Sequence, residues 1–423
     1  MPRQYTLSPK SHSPLKHTDL QRQNLKLAIQ SDADSCVMCG MCQPYCPTYQ
    51  VHKNEAESPR GRISIIQAYS QGRIAADANM IQHLEHCVGC MACQAMCPSN
   101  VAYGRIIDNA HTLLANHKNK PRFAESVLLK TIARTGGLGR FARALNIYQR
   151  SGAQFIVSKF LQLAGMQAAA RANNVLRFAN TTSLKQFYPA SGTAISDVAL
   201  FTGCLGTGFD ATTLLSSIYV LTRLGYNVHI PAAQNCCGAL HQHQGATDAA
   251  QQLIQHNRSV FGALPVTHII YTANGCGAQL AQADMPVNVI DICRFILSTP
   301  AITTTGFKSL HAQVLIHESC SSLNKLKLKS VTQQLLHLIP QLTVDELDRT
   351  PACCGAGGLH SLQFPEQARA LAHLKLRKLD VSRQQYLVSD NLGCALHFKN
   401  TLDESGIKID VIHPVTLLAR QLD

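Results

Sequence analysis

Short apolar runs alternate with longer amphipathic stretches throughout the second half of the chain. Residues 198–201 and 268–272 read as buried strands, and residues 212–224 between them carry the spacing of a helix. The same order returns further on. Residues 313–316 and 386–389 are strand-like, while residues 331–338 and 365–379 are helical in period. This rhythm predicts two α/β domains, each on a mostly parallel sheet. Between the halves, Phe155, Ile156, Phe160, Leu161 and Leu163 recur at helical spacing, and Gly136, Gly137 and Gly139 interrupt the pattern before them. Two or more amphipathic helices are expected there.

Cysteine spacing changes the picture. Cys36, Cys39, Cys42 and Cys46, followed by Pro47, return 51 positions later as Cys87, Cys90, Cys93 and Cys97, followed by Pro98. Two C-x2-C-x2-C-x3-C-P runs supply eight thiolates, the soft ligands that iron-sulfur clusters select. Gly40 and Gly89 relieve backbone crowding where three close Cys must wrap one cluster. The spacing is similar to that of two-cluster bacterial ferredoxins, in which the fourth Cys of each run ligates the other cluster. Cys36, Cys39, Cys42 and Cys97 would then hold one 4Fe-4S cluster, and Cys87, Cys90, Cys93 and Cys46 the second. Zinc, disulfides or packed free thiols are the alternatives, and zinc does not call for two identical four-Cys runs.

The other nine Cys repeat as well. Cys204 precedes the pair Cys236-Cys237 by 32 positions, and Cys320 precedes Cys353-Cys354 by 33; Gly238 and Gly355 follow the pairs. Cys276 and Cys394 then follow in similar strings, Asn274-Gly275-Cys276 and Asn391-Leu392-Gly393-Cys394. On the predicted strands and helices, these Cys fall at turns beyond strand ends or just before helices, the edge where open α/β sheets bind ligands. Each set of four could hold zinc, a further iron-sulfur cluster or a redox-active thiol site. Cys293 has no counterpart and reads as a packing residue.

Composition sets the outer limits. A chain of 423 residues with 46% hydrophobic content can bury two or three cores. Seventeen Cys behind an opening segment with no apolar centre argue for a reducing compartment, hence a cytoplasmic location. No apolar run is long enough for a transmembrane segment, so membrane contact at the inner face would be peripheral. The net charge of +13 is concentrated. No acidic residue lies between Glu125 and Asp197, where Lys130, Arg134, Arg140, Arg143, Arg150, Lys159, Arg171, Arg177 and Lys185 contribute nine cations. Such a connector can lie on an anionic membrane or an acidic partner, or can pack its apolar face on its own domains with the charges solvated. No nucleic-acid recognition motif accompanies it.

These strings resemble the iron-sulfur subunits that serve flavin-dependent 2-hydroxyacid dehydrogenases, above all glycolate oxidase. The resemblance is carried by Cys36-Val37-Met38-Cys39-Gly40-Met41-Cys42, Ser58-Pro59-Arg60-Gly61-Arg62-Ile63, Cys236-Cys237-Gly238-Ala239-Leu240-His241 and the matching strings of the second repeat. It implies FAD-containing dehydrogenase subunits as partners, with the chain relaying electrons from glycolate oxidation towards a quinone or other membrane acceptor. It also implies cysteine-rich domains that can hold an unusual iron-sulfur cluster or zinc. The family pattern closes with C-x2-C, whereas Gln279 and His397 stand at those closing positions here.

The organisation expected is a tail at 1–30, a helical ferredoxin-like two-cluster domain at 31–115, a basic helical connector at 116–195, and repeated α/β cysteine-rich domains at 196–300 and 308–423. Arg60 and Arg62 either shield reduced clusters or are solvated at a helix start. His241, His317 and His360 lie near Cys of the repeats and could ligate or carry protons, or simply pack. No Ser-His-Asp, P-loop or dinucleotide fingerprint gives the chain substrate chemistry of its own. Three other readings remain: a subunit serving glycerol-3-phosphate or lactate oxidation, a heterodisulfide-reductase-like thiol reductase, and a zinc-stabilised adaptor.

Overall fold

The computed structural model describes residues 19–115, 129–133, 144–149, 151–166, 173, 182–347 and 353–422. Its first part is helical. Asp19–Ala33, Pro59–Ser70, Ala78–Glu85 and Tyr103–Leu114 enclose a core of Ile29, Ile63, Ile66, Leu84, Ile106 and Leu113. Pro59 opens its helix with φ already suited, and the Ser58 hydroxyl accepts from Gly61 N at 3.0 Å. Likewise the Asp77 carboxylate accepts from Met80 N at 2.7 Å to start Ala78–Glu85. The segment 1–30 is not wholly a tail. From Asp19 it is a helix whose fully buried Ile29 completes the core, while residues 1–18 lie outside the described residues.

The second part carries two sheets. Strands β1 (Phe187–Tyr188), β2 (Ser196–Phe201), β3 (Tyr226–His229), β4 (His268–Tyr271) and β5 (Asn288–Asp291) lie in the order β1-β3-β2-β4-β5. Only β1 is antiparallel to its neighbour. The other sheet takes β6 (Ala312–His317), β7 (Leu342–Glu346), β8 (Tyr386–Ser389) and β9 (Asp410–Ile412) in the order β7-β6-β8-β9, all parallel. The repeated topology matches the repeated sequence, with the most apolar strands, β2 and β6, placed centrally where both faces are covered.

The repeats do not keep separate interiors. Val198, Leu200 and Leu214 of the first pack in one core with Val314, Ile316 and Leu417 of the second. Cys293 is buried in that core, as a packing residue should be. Polar groups finish the seam: Asn274 Nδ2 donates to Asp390 O at 3.1 Å, and Gly275 N to Asn391 Oδ1 at 3.0 Å. His413 Nε2 lies 3.0 Å from Thr272 O.

Two acids are enclosed near this seam. Burial pushes Asp291 and Asp390 up to about 6, and for Asp390 the charge of Asp291 adds to the effect. Unfolded, each ionises near 3.8. A raised folded pKa means the stabilisation is complete below about 3.8 and is lost as pH rises through about 6. The loss should be on the order of 3 kcal/mol for each group. Asp390→Asn is expected to flatten stability against pH across this window, measured by urea unfolding at pH 4, 5 and 6. An unchanged slope would contradict the assignment. Ser319 N, which donates to Asp390 Oδ1 at 2.9 Å, keeps an acceptor in Asn.

Of the connector, Ala153–Leu163 is a described helix. Its apolar side was expected either to cover its own domains or to meet a membrane or partner. Phe155, Phe160 and Leu163 are 72%, 68% and 81% exposed, so this side does not pack on the described domains. Of the nine cations, Arg134, Arg140, Arg143, Arg150, Arg171 and Arg177 lie outside the described residues.

Candidate metal centres

The first Cys run leaves the end of Asp19–Ala33, where Cys36 N donates to Ala33 O at 2.9 Å. Met38 and Gly40 turn the loop through positive φ, 56° and 80°. A Cβ on Gly40 would stand 2.8 Å from Arg60 Nη1, so its glycine serves both the turn and the close approach. The second run turns in the same way at Gly89 and Met91. Cys36, Cys39, Cys42 and Cys97 line one cavity, with Cys93 also at its wall. Cys46 is not among the residues that line it. Burial above all pushes the Cys90 and Cys93 thiols up, and charge adds to it, from Cys320, Cys46 and Cys87 on Cys90 and from Cys90, Cys87, Cys46 and Cys42 on Cys93. Buried, electrostatically crowded thiols become thiolates only beside compensating positive charge, which a bound cluster or ion supplies. The donor set, with both runs meeting at one cavity, fits iron-sulfur ligation.

Beside Cys46 stands a buried ionic network that the sequence left half-read. Arg62 is 1% exposed and donates to Glu57 Oε2 at 2.5 Å, Glu57 O at 2.6 Å, His83 O at 2.7 Å and Thr48 Oγ1 at 2.9 Å. Solvation at a helix start therefore does not describe it. Arg60 does lie at the surface, paired with Glu55 and donating to Met38 O at 3.1 Å. Burial alone would raise the Glu57 carboxyl. Hydrogen bonds from His86 and His83, with the charge of Arg62, outweigh it and hold the group down at about 2. Cys46 Sγ lies 3.6 Å from Glu57 O and 3.3 Å from Thr48 Oγ1, so this network fixes a candidate ligand. Glu57 and Thr48 carried no recognisable spacing signal, because their role depends on a turn and not on a period.

The cysteine-rich repeats each gather four thiols. Cys204 hydrogen-bonds Cys236, and Cys237 neighbours both Cys236 and Cys276; in the second repeat Cys320, Cys353, Cys354 and Cys394 form the same chain. Cys204 and Cys320 follow the central strands as expected. Cys276 and Cys394 instead sit within the first turn of Asn274–Gln282 and Leu392–Glu404. Gly238 and Gly355 adopt φ of 87° and 92°, and a Cβ would come within 2.9 Å of Ala250 O and 2.5 Å of Ala368 O respectively. Only glycine lets the following helix press against each Cys pair.

The histidines diverge. His241 is buried beside Cys236, whose thiol is drawn well below its ordinary range by hydrogen bonds from Cys204 above all, then Cys237 and His241. His317 is buried with both ring nitrogens unpartnered, within 4.8 Å of the sulfurs of Cys354 and Cys394. His360 instead packs on Phe364 and lines a cavity with Cys87, His111 and His243. His397 Nε2 lies 3.0 Å from Ala368 O, so that nitrogen faces backbone and not the thiols.

The second Cys run and the second repeat touch. Cys90, Val88 and Ala92 pack against Cys353 and Leu371, and Asn324 Nδ2 donates to Cys90 O at 2.8 Å. Gln367 Nε2 donates to His86 O at 3.2 Å nearby. Among the described residues, no helix is long and apolar enough to cross a membrane.

Residues 32–101 match the 4Fe-4S dicluster domain, and residues 198–281 and 314–399 each match the cysteine-rich domain. The chain is 28% identical over 413 residues to the probable glycolate oxidase iron-sulfur subunit of Bacillus subtilis (strain 168), covering 91% of this chain and 93% of that one. Identity to the glycolate oxidase iron-sulfur subunit of Escherichia coli (strain K12) is 26% over 402 residues, covering 90% and 93%. Lactate utilization protein A of Bacillus cytotoxicus is 25% identical over 236 residues, 52% of this chain and 98% of its own. With its Cys runs and both repeats matched, the chain belongs to the family of iron-sulfur subunits that join a 4Fe-4S dicluster domain to two cysteine-rich domains, the family that includes the glycolate oxidase iron-sulfur subunits.

Proposed function

We propose that this chain is the electron-transfer subunit of a flavin-dependent glycolate dehydrogenase complex. FAD-containing partner subunits oxidise glycolate to glyoxylate, and a quinone or other membrane acceptor receives the electrons. The observation that supports this reading is that both Cys runs converge on one cavity, with Cys36, Cys39, Cys42 and Cys97 in its lining and Cys93 at its wall. Two 4Fe-4S clusters held there supply one-electron carriage. We assign the domains to 31–115 with the preceding helix Asp19–Ala33, to 196–300 with the edge strand Phe187–Tyr188, and to 308–423, the basic connector joining the first two.

The residues of this chain set the conditions. Burial of Cys90 and Cys93 excludes water from one site, which bears directly on cluster potential. Exposed Cys39, beside exposed Val37 and Met41, brings the other site to the surface, where a redox partner can approach. Arg62 and Glu57 hold the Cys46 loop between them.

Low-temperature EPR on the anaerobic complex with its native partners tests the reading. Glycolate is expected to elicit reduced 4Fe-4S spectra, while D-lactate and glycerol 3-phosphate are not. Reduction by D-lactate alone would transfer the relay to a lactate-oxidising partner. Reduction by none of the three would overturn the relay.

A further inference from the structure

The two cysteine-rich sites share four thiols and a fold, yet the residues around those thiols differ. Three positions before Cys320 the chain carries His317; three before Cys204 it carries Phe201. His317 ends β6 at 1% exposure, held edge-on against Phe398 with ring centroids 4.9 Å apart. Neither of its nitrogens has a hydrogen-bond partner, and an imidazole so enclosed is costly unless something occupies a lone pair.

Its ligating atom and the sulfurs of Cys354 and Cys394 all lie within 4.8 Å of one another. Bonds of about 2.3 Å to sulfur and about 2.0 Å to nitrogen in a tetrahedron place ligand atoms somewhat under 4 Å apart, so modest closure suffices. Thiolates on different corners of a cubane stand further apart. Charge agrees as well. Lys375 is buried at 3% exposure, and its ammonium is felt by Cys320, Cys353, Cys354 and Cys394. A divalent ion with three thiolates and a neutral imidazole carries one negative charge, which one lysine balances. The position equivalent to Lys375 in the first repeat is Arg258, which points outward to Asp284.

We infer that the second cysteine-rich domain holds a single zinc-class ion through His317, Cys354, Cys394 and a third thiolate from the Cys320-Cys353 pair. Binding releases three thiol protons to solvent and leaves His317 neutral. The inference deepens the metal assignment of this domain and rests on the family reading above. The ion fastens the very surface on which Cys90 packs.

Elemental analysis of the purified complex tests it, together with cobalt(II) substitution. About one zinc per chain is expected to survive chelator treatment, and cobalt should give tetrahedral bands with thiolate charge transfer. His317→Ala should lose the zinc while iron content and cubane EPR stay unchanged; His317→Cys should retain it with a shifted cobalt spectrum. Zinc that persists in His317→Ala, or extra iron in its place in the native chain, would overturn the inference. If His317→Ala does not fold, the cobalt spectrum of the native chain decides between mixed nitrogen-sulfur and all-sulfur ligation. The cubane EPR signal, read on the same sample, separates failure of this inference from failure of the relay.

Discussion

Cys36→Ser is expected to remove roughly half the cluster iron from the chain and abolish electron transfer to quinone, while substrate still reduces the partner flavin. Serine offers a hydroxyl whose proton is far harder to lose than a thiol's, and a hard oxygen where iron-sulfur chemistry selects soft sulfur. The crossed ligation makes a sharper demand. Cys97→Ser should delete the same EPR signal as Cys36→Ser, because both residues line one cavity. Cys46→Ser should delete the other, along with Cys87→Ser. Loss sorted by run, with Cys97 grouped with Cys87, would refute the crossed assignment. Normal transfer to quinone in Cys36→Ser would refute the relay.

Arg62→Ala should be the most destabilising change outside the Cys. Its guanidinium satisfies Glu57, Thr48 and a carbonyl of His83 while only 1% exposed. Removing it takes the guanidinium from a buried carboxylate and leaves only His83 and His86 on it, a loss of about 3–5 kcal/mol. Arg62→Lys would recover only part, since one ammonium cannot span four acceptors in that plane. Surface Arg60, by contrast, should be replaceable by Ala with little change in stability. The urea midpoints of the two variants report this directly. Equal midpoints for Arg62→Ala and the parent would mean that Glu57 is neutral, contrary to its depressed pKa of about 2.

Much of this was legible before any coordinates. Strands at 198–201, 313–316 and 386–389 announced themselves because β2, β6 and β8 are covered on both faces and read as apolar runs. The helix placed at 365–379 runs from Pro365 to Leu376. Strands β3, β5, β7 and β9 escaped notice, since each lies beside the central pair, is only three to five residues long and mixes polar with apolar positions. The two Cys runs could be read from spacing because the close Cys of each loop are local, whereas the fourth Cys expected from the other run is a long-range partner that spacing alone does not give. Glu57, Lys375 and Asn324 could not be, because their partners come from turns and from distant segments that no period encodes. For Arg62, charge alone suggested water; only the fold shows that it is walled in.

Assembly has an order written into these contacts. Asn324 grips the carbonyl of Cys90 across 234 positions, and Gln367 that of His86 across 281. While the ribosome is still making the second repeat, the loop carrying Cys87 to Cys97 has its own turns but neither of these distant braces. Iron delivered before Asn324 and Gln367 are in place would therefore meet a loop without these two braces.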